Sequence, residues 1–300
     1  MGVAKAHGKL LLFGEHAAVY GHPAVGLALP WSLAATHTQG RVWELPGLGS
    51  HEVPVLRLLD RLSALSAELG LPPPCPGRLE FTTAIPVGSG FGSSAALCAA
   101  LVNLFFPTLS LPQKDQLAWK AEGLFHGTSS GIDTALALRL GWWALDPSSR
   151  PVTATPLPDP GLTLVTGALV RMADTKTLVG EIARRKADGD VVVNSALESL
   201  GHYSRQAIAL LRDQQPQGLG VLVNQAREKL RTLGLEPPPL TQVLDAGLSC
   251  PGAVGAKLSG AGGGGAFFLV FEAPDQANEA LTRIEAAADP QHWTSPPRLV

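Results

Sequence analysis

Short apolar runs separated by turn residues open the chain. KLLLFG at 9–14, EHAAVYGHPAVGLALP at 15–30 and WSLAATHTQGRVWEL at 31–45 predict strands joined by tight turns. Leucines in VLRLLDRLSALSAEL, 55–69, then recur at helical spacing until the prolines at 72–74 stop them. GRLEFTTAIP, 77–86, alternates as a strand, and SSAALCAALVNLFF, 93–106, is apolar on most sides, as a buried helix would be. QKDQLAWKAEGLFH, 113–126, has helical periodicity.

Five prolines between 147 and 160 mark a linker, and a cut there gives an N-terminal domain over 1–155 and a C-terminal domain over 156–300. Beyond it come a strand at 161–169 and helices at 176–186, 191–211 and 220–234. A strand at 252–260, the run AGGGG, the strand AFFLVF and a last amphipathic helix from 274 complete the chain. Strands and helices mix without a strict βαβ repeat, so the class is α+β, and no internal repeat is visible.

Composition narrows the function classes. At 300 residues and 45% hydrophobic, the chain suits a folded protein with one large core or two smaller ones. The 23 basic residues nearly balance the 25 acidic ones, so no overall field favours nucleic acid or an anionic membrane. Any anion must be held locally. Cys75, Cys98 and Cys250 are odd in number and far apart, which suits a reducing cytoplasm and argues against a disulfide framework or a zinc site. The first residues read neither as a signal peptide nor as a membrane span.

Candidate chemistry concentrates in PVGSGFGSS, 86–94. A strand, three alternate glycines and a helix starting near Ser93 would bring backbone N–H groups and a helix dipole to one spot, which binds anions. A P-loop needs GxxxxGK[ST], and the only Gly-Lys, Gly8-Lys9, is followed by Leu10. GFGSSA also fits the dinucleotide fingerprint in form, although it lies about eighty residues into the chain, unlike that motif's usual place. GTSSG, 127–131, matches the esterase pattern with Ser129 as nucleophile, yet follows a helix where that motif needs a strand. The other reading joins Glu122, which could hold a cation, to Asp133, which could orient or deprotonate a hydroxyl. In KLSGAGGGG, 257–265, the glycines suggest close approach of backbone to a ligand or to another loop.

These strings together resemble the GHMP small-molecule kinases along the whole chain. GKLLLFGEHAAVYGHPA resembles the family's first motif, PVGSGFGSSAA its phosphate-binding second and KLSGAGGGG its third. The combination of GEH, HGxxSGID and DTKTLV at 174–179 favours the members that phosphorylate mevalonate; phosphomevalonate, sugar or homoserine acceptors are the alternatives. A non-catalytic, ligand-sensing member would be expected to lack Lys9 or Asp133, and both are present. The resemblance implies a two-domain α+β fold, its N-terminal half like ribosomal protein S5 domain 2 and its C-terminal half ferredoxin-like.

It further implies ATP as co-substrate, Mg²⁺ as cofactor, mevalonate as small-molecule partner, no nucleic acid or membrane partner, and a homodimer among the allowed assemblies. Asp133 is implied to receive or hold the acceptor's proton, with Lys9 beside it. Gly88, Ser89, Gly90, Phe91, Gly92, Ser93 and Ser94 are implied to wrap the ATP phosphates. Ser94 and Glu122 are implied to hold Mg²⁺, and Glu15, His16 and Thr175 to face the acceptor. The chain departs from the family pattern at His7, Phe91, Ser129 and Thr134, the last two flanking the acceptor side.

Overall fold

The computed structural model describes residues 1–126 and 130–300. Ser129, the serine of the esterase-like pattern, lies outside the described residues. Strands β1 (Gly2–Phe13) and β2 (Ala24–Gln39) pair antiparallel. EHAAVYGHP, expected to be part of a strand, instead holds the short 3₁₀ turn Ala17–Tyr20. β2 also runs straight through Pro30, where the sequence suggested a break.

The register explains how. His7 faces Ser32 and Lys9 faces Ala28, so β2 bulges between them. The other edge of β2 pairs with β3 (Gly77–Thr83) from Leu33 onward and with β4 (Gly141–Asp146) up to Ala28. Pro30 sits in the gap, where its missing N–H costs no ladder bond. The same irregularity frees the Lys9 N–H, which donates to Phe91 O at 2.9 Å, so β1 is tied to the glycine loop at the residue whose side chain matters most.

Helices α1 (Glu52–Glu68), α2 (Ser93–Phe105), α3 (Leu111–His126) and α4 (Ile132–Ala137) accompany this sheet. α2 reaches the core through Ala95, Ala96, Ala99 and Ala100, all fully buried small residues. α4 sits equally close to the sheet, because a Cβ on Gly26 would lie 2.4 Å from Leu136 Cδ1. Asp133 is therefore carried on a helix whose height above the sheet is fixed by packing. Strand β5 (Thr153–Pro156) pairs with β4, so the proline-rich stretch expected to be a linker is in part the fifth strand of the first sheet.

The second sheet contains β6 (Thr163–Leu169), β7 (Ala253–Leu258), β8 (Gly265–Phe271) and β9 (Trp293–Leu299). Its order is β7-β8-β6-β9, antiparallel throughout. Five helices go with it: α5 (Thr175–Ala187), α6 (Val191–Arg212), α7 (Leu219–Thr232), α8 (Pro238–Leu248) and α9 (Pro274–Glu285). Asp174 caps α5 by accepting from Thr177 N–H, and Asp190 caps α6 by accepting from Val192 and Val193 N–H. One core runs through both halves, from Leu10 and Phe13 of β1 to Phe267 and Phe268 of β8. Among the described residues, no helix is long and apolar enough to cross a membrane.

Candidate active site

The glycine loop stands between β3 and α2. Gly88, Gly90 and Gly92 all have left-handed backbone, with φ of 77°, 96° and 79°. Gly92 is the N-cap of α2 and, among the described residues, no side chain caps that end. Ser93 is the first helical residue, and its Oγ accepts from Gly88 N–H at 3.4 Å. A Cβ on Gly92 would lie 2.8 Å from Lys9 Cγ, so glycine there also makes room for the lysine stem. The dipole of α2 consequently points its positive end at the space beside Lys9.

Two members of the expected phosphate set face elsewhere. Phe91 is fully buried, its ring 5.2 Å from Trp31 in an edge-to-face contact, and only backbone at this position remains to serve a ligand. It anchors the loop from below. Phe91→Ala is expected to lower unfolding stability by about 3–5 kcal/mol, read by chemical denaturation. Ser89 is buried too, is absent from the cavity wall, and its hydroxyl lacks a hydrogen-bond partner among the described residues.

The remaining expected residues meet on one cavity of about 300 Å³: Gly88, Gly90, Gly92, Ser93 and Ser94 on one wall, Lys9, Glu122 and Asp133 below. Glu15, His16 and Thr175 complete it. Lys9 Nζ is 3.1 Å from Asp133 Oδ2. Glu122 is buried on α3, and burial, joined by the Glu122 charge, pushes the Cys98 thiol well above its ordinary value. Thr134, expected to flank the acceptor, is instead buried, with its hydroxyl donating to Gly131 O at 3.2 Å.

Arg171, just past β6, had no motif to announce it. Its Nη1 donates to Thr175 Oγ1 at 2.8 Å, and it lines the cavity. A Cβ on Gly90 would lie 2.9 Å from its Nη2 and one on Gly265 2.8 Å from its Nε. Glycines in two remote loops thus leave the space that the guanidinium fills. Burial lowers its pKa and the nearby Asp133 charge works the other way.

The third glycine run behaves as the sequence suggested. Cβ atoms on Gly262 and Gly264 would lie 2.6 Å from Leu235 O and 2.4 Å from Val170 O, so these positions are close approaches of backbone to other loops. Ser259 Oγ accepts from Leu11 N–H at 2.8 Å, fastening the run to β1. Ala261 O accepts from His16 Nε2 at 3.0 Å, and burial holds the His16 imidazole below its ordinary value, so it is neutral near pH 7. Glu15 is fully buried and forms an ion pair with Lys257 of β7, a second cation the sequence did not flag.

This arrangement suits a polyphosphate and a hard divalent cation. The loop offers left-handed backbone around an uncapped helix start, with the cations Lys9 and Arg171 nearby. A serine hydroxyl and one carboxylate, Ser94 and Glu122, line the same cavity and could supply the sparse oxygen ligands that Mg²⁺ accepts when phosphates and waters supply the rest. Among the described residues, no three His, Cys, Asp or Glu side chains gather as a metal cage.

Residues 55–141 match the pattern described as GHMP kinases N terminal domain, and residues 207–289 that described as GHMP kinases C terminal. The mevalonate kinase of Aeropyrum pernix is 30% identical over 303 residues, covering 90% of this chain and 88% of that protein. That of Thermococcus sibiricus is 29% identical over 316 residues, covering 95% and 93%. The crystal structure of L. major mevalonate kinase in complex with R-mevalonate aligns with a TM-score of 0.83 at 23% identity, covering 100% of this chain and 96% of that one. The last likeness concerns the fold. The chain belongs to the GHMP kinases, with the two-domain α+β fold of that family and a site for a small-molecule substrate.

Proposed function

We propose that the protein transfers the γ-phosphoryl group of ATP to the primary alcohol of mevalonate, giving 5-phosphomevalonate for isoprenoid precursor synthesis in the cytoplasm. The observation that carries this reading is the Lys9–Asp133 pair, 3.1 Å apart, opening onto the same cavity as the glycine loop. The names of the relatives at 29–30% identity favour mevalonate as the acceptor.

Phosphoryl transfer demands positioning and charge stabilisation more than covalent chemistry from the protein. Backbone of 88–94 and the start of α2 would seat the phosphates, with Arg171 as a further cation. Ser94 and Glu122 would hold Mg²⁺, which when bound neutralises phosphate charge. Asp133 would accept a hydrogen bond from the attacking hydroxyl and take its proton late, since a carboxylate is too weak a base to ionise an alcohol beforehand. Lys9 keeps Asp133 in place and offsets negative charge as the bond forms. Thr175, fixed by Arg171, would close the acceptor side. We infer in the same way that the first half has an S5 domain 2-like fold and the second a ferredoxin-like one, the order β7-β8-β6-β9 supporting the second, and that the domain boundary, expected between 155 and 156, falls just after Pro156, where β5 ends.

An acceptor panel tests the reading: ATP consumption with mevalonate, phosphomevalonate, galactose and homoserine, each with and without Mg²⁺. Rapid turnover with mevalonate alone, abolished by chelation, is expected. Turnover with galactose and none with mevalonate would overturn it.

A further inference from the structure

Lys257 and Glu15 are fully buried ionic groups, 242 residues apart in sequence, one on the second sheet and one just past β1. Burying two charges is costly, and their attraction seldom exceeds what well-packed apolar side chains would give. Stability alone is therefore a weak reason for the pair. Its surroundings give a better one. The ammonium donates to Glu15 Oε1 and to Leu258 O at 2.9 Å, and lies 5.0 Å from the ring centre of Phe268. Glu15 Oε2 is buried and has no hydrogen-bond partner among the described residues, although the residue lines the cavity. A carboxylate oxygen left without a donor costs free energy that a bound ligand's O–H can restore.

We propose that Lys257 is a positioning residue for the acceptor: by holding Oε1 of Glu15 it fixes Oε2 as hydrogen-bond acceptor for a hydroxyl of the bound alcohol. The inference rests on reading the cavity as a kinase site. The second sheet thereby sets the acceptor side of a site whose reacting pair, Lys9 and Asp133, belongs to the first half of the chain. For mevalonate, which carries two hydroxyls, the group recognised is the one that is not phosphorylated. The charged and titratable groups around Glu15 are Lys257 in contact, Lys9 at longer range and the adjacent His16, while Asp133 and Arg171 line the same cavity. Burial raises the Glu15 carboxyl, and the two lysines oppose that rise.

The test is a double-mutant cycle of Lys257→Met and Glu15→Gln, measured with the alcohol that the wild-type protein phosphorylates. Lys257→Met is expected to raise KM for that alcohol by ~10- to 100-fold, the loss of one charged hydrogen bond, with KM for ATP changed less than about twofold. Because Lys257 no longer favours the carboxylate, the acid limb of kcat/KM should also move to higher pH. The double variant should match Glu15→Gln alone within about twofold. Its paired neutral groups keep the comparison available if Lys257→Met by itself fails to fold. Multiplicative losses in the double variant, or equal damage to KM for ATP, would overturn the proposal. If the wild-type protein uses an alcohol other than mevalonate, the functional reading fails and the cycle still decides the role of Lys257.

Discussion

Asp133→Asn is expected to lower kcat by ~10²-fold or more while KM for ATP stays within about threefold, as measured by steady-state kinetics and single-turnover phosphoryl transfer. The amide keeps the shape of the carboxylate, and residue 133 lies in the first turn of α4, whose seat on the sheet depends on Leu136 over Gly26. Folding should therefore be untouched. What is lost is the negative partner of Lys9 and the proton acceptor for the attacking hydroxyl. Lys9→Met should fall by a similar factor, and the two together by much less than the product of the single losses, because the pair acts as one unit. An Asp133→Asn protein retaining nearly full turnover would remove Asp133 from the reaction.

Glu122→Gln is expected to raise the Mg²⁺ concentration for half-maximal rate at least as much as loss of an outer-shell partner does elsewhere, ~10–100-fold. The substitution is nearly isosteric and Glu122 is buried on α3, so the effect should lie in metal dependence rather than in fold. Ser94→Ala should move the same midpoint in the same direction. A titration of activity against free Mg²⁺ at fixed ATP reads both. An unchanged midpoint in both variants would place the cation elsewhere.

Much of the architecture was legible because local patterns sufficed. Periodicity placed α1, α2 and α3 and the strands β3, β6 and β8. The failures share a cause. α8, absent from the predicted elements, opens with Pro238 and Pro239, which fit a first helical turn, where N–H groups have no partner anyway. β9 carries Pro296 and Pro297, permissible because it is an edge strand paired only with β6. β2 crosses Pro30 because a bulge and a change of neighbour coincide there. In each case proline's cost depends on whether its missing N–H had a partner, and only the sheet or helix as assembled decides that.

The sequence by itself determined the glycine-rich backbone at 88–94, the candidacy of Lys9, Glu122 and Asp133 and the close-approach character of 262–265. Glycine spacing and residue type are local properties, and the backbone freedom they confer does not depend on distant partners. Tertiary structure decided which of these residues meet and what stands between them. Phe91 turned out to be the loop's anchor in the core, and Thr134 a buried hydroxyl rather than an acceptor-side group. Arg171 entered the site through the space left by Gly90 and Gly265, and Lys257 reached Glu15 from the other sheet. Contacts of that kind follow from how two sheets and their helices close-pack, a property of the assembled chain that no periodicity within one segment encodes.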